Sequence, residues 1–208
     1  QANQALSLVA SIQRVIVYQH AKLDVFFDND RDVWWHDAIA TQSTSCATVK
    51  LPSEARALIL YTSGTTGKPK GTVHTHAGCL ATIGKELAYA FDVKADSKFF
   101  WFTDIGWMMG PWEFIGVTMQ GGSFLLTEGA PNYPDDGRVW SLVEKYQLDT
   151  LGFSPTAVRL LMKSGDLWPQ KYDLSSLKFL ASTGEPWDPD SYQWFFDKIG
   201  GGRCPIIN

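Results

Sequence analysis

The chain has 208 residues, 45% of them hydrophobic and 19% charged, with a formal net charge of −4. That is ordinary globular composition, and nine Trp, seven Tyr and twelve Phe argue against disorder. The acidic balance, with no long Lys/Arg run, leaves a nucleic-acid or anionic-membrane role without an electrostatic footprint.

In chain order, the opening "QANQALSLVA" lacks the basic region and long apolar core of a signal peptide. No apolar run approaches the ~18 residues of a membrane span. Apolar, β-branched or aromatic runs then recur at Val15–Tyr18, Ala57–Tyr61, Phe99–Thr103, Phe124–Thr127, Thr150–Phe153, Leu177–Ala181 and Pro205–Ile207. Most are continuous rather than alternating, which predicts strands buried on both faces. Between them lie helical stripes: Leu80, Ile83, Leu87 and Phe91; Val139, Leu142, Val143 and Tyr146; Tyr192, Phe195, Phe196 and Ile199. Ser154-Pro155 and Asp188-Pro189 each offer a capping oxygen followed by a first-turn proline, and Gly165 and Gly200 mark helix stops. Trp34 and Trp35 are expected in a short helix packed on the sheet, and "ATQSTSCATVK" (40–50) as a mobile connection. Strands alternating with helices predict an α/β fold, with layered helices around a mainly parallel sheet.

Cys46, Cys79 and Cys204 are odd in number and widely spaced, which reads as reduced thiols in a cytoplasmic setting. His74 and His76 form an H-x-H that would share one face of a strand, but no local acid or histidine completes a metal set, so no metal site is expected. "GFSPT" fails the final glycine of a serine-hydrolase elbow.

The densest chemistry lies in "YTSGTTGKPKG" (61–71). Gly64, Gly67 and Gly71 permit backbone conformations that expose N–H groups in a concave row. Thr62, Ser63, Thr65 and Thr66 add hydroxyls, and Lys68 and Lys70 add charge. Pro69 after Gly67-Lys68 rules out a Walker A loop. If the loop leaves the carboxyl end of a parallel strand, it stands where ligands collect. Composition alone leaves both a phosphate grip and a plain solvated turn open.

The whole string strongly resembles the signature loop of the adenylate-forming superfamily. "FWFTDIGWMMG", "EGAPNYP", "DLSSLKFLASTGEPW" and "GGGRCPII" follow in the order seen in its acetyl-CoA synthetase branch. The resemblance implies an acyl-CoA synthetase that uses ATP to activate a short carboxylic acid as acyl-AMP, then forms a thioester with coenzyme A. It assigns the ATP phosphates to Thr62, Ser63, Gly64, Thr65, Thr66, Gly67 and Lys68; Lys70 can equally face solvent. It assigns adenine and ribose to Gly184, Glu185 and Pro186, and the acyl pocket to Trp107, Met108, Met109 and Thr183. The two methionines stand where the acetate pattern has a smaller Val-Thr pair, and Thr183 where Val is common. Ser154 stands for an Ala near the coenzyme A path, and Arg159 reads as helix decoration. Mg2+ is expected on phosphate oxygens. The family's Thr-Glu metal ligand and its mobile-domain lysine have no counterpart here, so no catalytic residue is assigned. The chain is expected to be a middle section of the large N-terminal domain, without the C-terminal domain and inactive by itself. No membrane or nucleic-acid partner is expected. Two rivals stay open: an adenylating enzyme with another acceptor, and a nucleotide-binding module without chemistry.

Overall fold

The computed structural model describes residues 2–62 and 67–208. They form two compact units, Gln1–Lys50 and Leu51–Asn208.

In the first unit, helix α1 (Ala2–Ser7) precedes β1 (Val15–Val17), which pairs in parallel with β2 (Asp32–Trp34); α2 (Trp35–Ile39) follows directly. Asp32 is buried, and its carboxylate accepts from Arg31 Nε (2.6 Å), Arg31 Nη2 (3.0 Å) and the Asp28 N–H (2.9 Å). The guanidinium, then the Asp28 amide, hold this carboxyl below its ordinary range. The paired tryptophans divide. Trp34 closes β2 and stacks on Phe27 at 4.4 Å, whereas Trp35 opens α2 and is exposed.

Residues 40–55 carry no helix or strand. In the second unit, β3 (Arg56–Thr62) and β4 (Lys70–Thr75) form an antiparallel hairpin. This corrects the expectation that the apolar run before the glycine loop is a strand of the parallel sheet buried on both faces. Ile59 is 52% and Tyr61 73% exposed. A run such as "LILY" reports propensity and apolarity, but not which partner covers it.

The main sheet has strand order β6-β5-β7-β8-β9, parallel throughout. Its strands are β5 (Lys98–Trp101), β6 (Ser123–Phe124), β7 (Thr150–Phe153), β8 (Phe179–Ser182) and β9 (Ile206–Ile207). Alternation along them makes two cores. Phe100, Leu151 and Leu180 face one side, where α5 (Arg138–Tyr146), α6 (Pro155–Lys163) and α7 (Pro189–Trp194) pack. Phe99, Trp101 and Ala181 face the other, covered by α3 (His76–Tyr89) and α4 (Met109–Met119). Both faces are covered, as the continuous apolar runs predict. Gly152 lies beneath the Trp101 indole, where a Cβ would sit 2.4 Å from the ring.

Helix ends follow their capping chemistry. Ser154 Oγ accepts from the Ala157 N–H, and Asp188 Oδ1 from the Ser191 N–H, each ahead of a proline. After α6, Gly165 has φ +90, the left-handed turn expected of a glycine past a helix end. Past α7, a π turn (Phe195–Ile199) leads into Gly200, and the positive φ values fall instead on Gly201 and Gly202. Three stripe positions differ from expectation: Cys79 rather than Leu80 is buried on α3, and Trp140 and Trp194 join the core while Tyr146 and Tyr192 are exposed. Helix α4 was not legible as a helix, since Gly110 and Pro111 occupy its first turn.

Candidate functional site

Four strand ends surround a cleft of about 770 Å³. The exit of β5 supplies Trp101, Phe102, Thr103, Asp104 and Trp107, ending in Met109 at the start of α4. Past β6 come Thr127, Glu128 and Gly129; past β7, Ser154 and Ala157; past β8, Thr183, Gly184 and Glu185. Every contributor except Trp101, the last residue of β5, thus lies beyond a carboxyl end, where a parallel sheet leaves backbone free to meet a ligand. A second cleft, about 430 Å³, is more apolar in character and lies against α3 and α4, with Ile83, Phe91, Met108 and Trp112 in its wall. Trp101, Met109 and Thr183 border both.

The residues read from the sequence divide accordingly. Of the acyl set, Trp107 borders the larger cleft, Met108 the smaller, and Met109 and Thr183 both. Of the adenine and ribose set, Gly184 and Glu185 border the larger cleft, and Pro186 follows without lining it. Gly184 has φ +98, a conformation that strains any residue with a side chain. Of the phosphate set, Thr62 ends β3 opposite Lys70, and Gly67 (φ +141) and Lys68 form a bend ahead of β4. Ser63, Gly64, Thr65 and Thr66 lie outside the described residues. Among the described residues, none of this set lines either cleft. Thr62 and Lys70 pair across an antiparallel hairpin, so β3 does not end as a strand of the parallel sheet, as had been expected. The H-x-H pair is also not on one strand: His74 is in β4, and His76 begins α3.

Glu185 is not a free surface carboxylate. Its Oε1 accepts from the Thr156 N–H (3.0 Å), and its Oε2 from Thr156 Oγ1 (2.9 Å) and Arg159 Nη2 (2.7 Å). These bonds, the Thr156 hydroxyl first, hold its pKa below the ordinary value. Arg159 Nη2 also donates to Thr156 Oγ1 (2.7 Å), and Nη1 to Asp188 Oδ2 (3.0 Å). Asp188 in turn accepts from the Ser191 hydroxyl (2.5 Å) and N–H (2.9 Å). Chiefly through Ser191, with Arg159 adding, its pKa falls to about 2. Arg159 therefore bridges two carboxylates rather than decorating a helix. The sequence hides this, because the partners are 26 and 29 residues away.

Two further supports escaped the sequence reading. Glu113 on α4 is 1% exposed, and its Oε1 accepts the Trp101 N–H at 2.7 Å where β5 ends. Burial pushes its pKa up to about 8. Arg138 clasps the loop after β6: Nη1 donates to the carbonyls of Ala130 (3.1 Å) and Tyr133 (2.9 Å), and Nη2 to that of Glu128. Among the described residues, the charged groups lining the larger cleft are Asp104, Glu128 and Glu185, all acidic.

Residues 2–208 match the AMP-binding enzyme family. The chain belongs to that family. Within it, the chain is 43% identical to the acetyl-coenzyme A synthetase of Methanothrix thermoacetophila, over 99% of this chain and 31% of the relative. It is 42% identical to that of Methanothrix soehngenii, over 100% and 31%. Among solved structures it superposes on an acetoacetyl-CoA synthetase from Streptomyces lividans with a TM-score of 0.81 and 26% identity, over 99% of this chain and 31% of that one. The chain thus spans about a third of the length of these AMP-binding relatives. No helix among the described residues is long and apolar enough to cross a membrane.

Proposed function

We propose that this chain carries part of the active site of an acyl-CoA synthetase that activates a short carboxylic acid with ATP and then transfers it to coenzyme A, in the cytoplasm. The observation that carries the reading is one cleft at the carboxyl ends of the parallel strands. The Thr183–Glu185 turn stands on one side of it and Trp107 and Met109 on another. The relatives named acetyl-coenzyme A synthetase support it.

The acid needs no general base, since a carboxylic acid with a pKa of ~4–5 is ionised at neutral pH. Its oxygen attacks the α-phosphorus of ATP, a P–O bond forms, and pyrophosphate leaves. The coenzyme A sulfur then attacks the acyl carbon and AMP departs. The protein's part is to position and to neutralise charge. Gly184, Glu185 and Pro186 lie along adenine and ribose, and Thr62 to Lys68 hold the phosphates. Met108, Met109, Trp107 and Thr183 receive the acyl group. Met108 and Met109 bring flexible apolar side chains, which suits a short or branched aliphatic tail. Magnesium would bind chiefly through the substrate's phosphate oxygens and would supply charge neutralisation there.

Calorimetry with ATP, AMP and an acyl-sulfamoyl adenylate mimic tests the reading. The chain is expected to bind all three, the mimic tightest, with little turnover by these 208 residues. A chain that binds none of them, or whose Gly184→Val variant binds each as wild type does, would refute it.

A further inference from the structure

We propose that Arg159 is a positioning residue of the nucleotide site: its guanidinium ties the β8-to-α7 turn to the first turn of α6 and offsets the Glu185 charge at the cleft rim. This rests on the nucleotide reading of the Thr183–Pro186 turn.

The geometry is a closed ring. Arg159 Nη2 reaches both Glu185 Oε2 and Thr156 Oγ1 at 2.7 Å, and the Thr156 hydroxyl donates to the same Oε2 at 2.9 Å. The other arm, Nη1, reaches Asp188 Oδ2 at 3.0 Å. One side chain therefore pins the turn at two points three residues apart. The planar fork of arginine can hold both at once; a lysine ammonium, a point charge on a flexible stem, cannot reproduce that fixed two-armed geometry. Gly184, with its positive φ, is the freely jointed residue just before the first pin. Without the guanidinium, the Glu185 carboxylate would keep the Thr156 bonds but lose its cation and the tie to Asp188.

Charge gives the second reason. The larger cleft is lined by the acids Asp104, Glu128 and Glu185, yet the proposed occupant is itself a polyanion. Arg159 is a cation in contact with Glu185, one of these acids. It can thus act twice, by fixing the turn and by cancelling one repulsion.

The two contributions separate in measurement. In Arg159→Met, hydrogen exchange of the peptide covering residues 183–188 is expected to rise in the ligand-free chain, while that of β7 stays unchanged. Affinity for ATP is expected to fall about tenfold, the scale of one charge-assisted contact, and affinity for uncharged adenosine to fall less. Arg159→Lys should recover the ATP-specific part and leave exchange raised. Glu185→Gln added to Arg159→Met should also regain ATP affinity relative to adenosine. If Arg159→Met fails to fold, as judged by its melting curve, Arg159→Lys carries the test through the exchange readout and ATP titration alone. Wild-type exchange over 183–188 in either variant, or raised exchange in Arg159→Met with unchanged ATP affinity, overturns the proposal. A wild-type chain that binds neither ATP nor adenosine overturns the nucleotide reading itself, a failure distinct from that of the clamp.

Discussion

Glu113 shows how one side chain can set a pH response. It is a carboxyl in the core that accepts from a backbone amide, that of Trp101. Its pKa of about 8 lies above the ordinary 4.5. Below pH 4.5 the group is neutral in both folded and unfolded chains, and its neutral form is accommodated at no ionisation cost. Between 4.5 and 8 the unfolded chain releases the proton while the folded chain keeps it, so folding takes up a proton and stability falls as pH rises. Above 8 the slope ends, after a loss on the order of a few kcal/mol. Glu113→Gln keeps an acceptor for the Trp101 amide and cannot ionise. Urea midpoints measured from pH 5 to 8 should decline more steeply for wild type than for the variant; parallel declines would count against a neutral carboxyl here.

At the scale of elements, the caps carry information that hydrophobic pattern does not. Ser154-Pro155 and Asp188-Pro189 were legible as helix starts because a short acceptor before a proline has few other uses. The strands β5 and β7 were legible because their runs are apolar on both faces. Hairpin β3–β4 was misread for the same reason: a strand's own residues do not say whether its neighbour runs parallel. The Arg159 bridge was invisible because it joins the exits of two strands, and such a meeting is created by topology. Asp188 belongs to this scale, since it caps α7 and anchors the bridge. Its pKa is lowered to about 2 from 3.8, so its stabilising contribution is full above about 3.8 and is lost as pH falls toward 2. Asp188→Asn keeps a good capping acceptor without the charge. The variant should lose less of its melting temperature than wild type between pH 5 and pH 2; equal acid losses would show that the carboxylate contributes through its shape alone.

For the whole molecule, the parallel sheet, its two cores and both clefts lie within Leu51–Asn208. Expressed alone, that unit should keep the near-ultraviolet circular dichroism contributed by its buried Trp101, Trp112, Trp140 and Trp194. A flat near-ultraviolet spectrum would mean that residues 1–50 are needed for its packing. Much of the rim of the larger cleft was legible by motif, because Trp107, Met109, Gly184 and Glu185 sit in short strings where a strand ends. The residues that brace it, Glu113, Arg138 and Arg159, were not, because each acts through a partner that only the folded chain brings near.

The indole of Trp101 borders both clefts and rests on the bare backbone of Gly152. A ring against a main chain has nowhere to retreat, whereas the thioethers of Met108 and Met109 can swing. At the shared border of the clefts a fixed ring thus stands beside the yielding side chain of Met109. On the proposed acyl reading, evolution or engineering toward bulkier acids would therefore find its latitude at the methionines, whereas a change at Trp101 would be felt in both clefts at once.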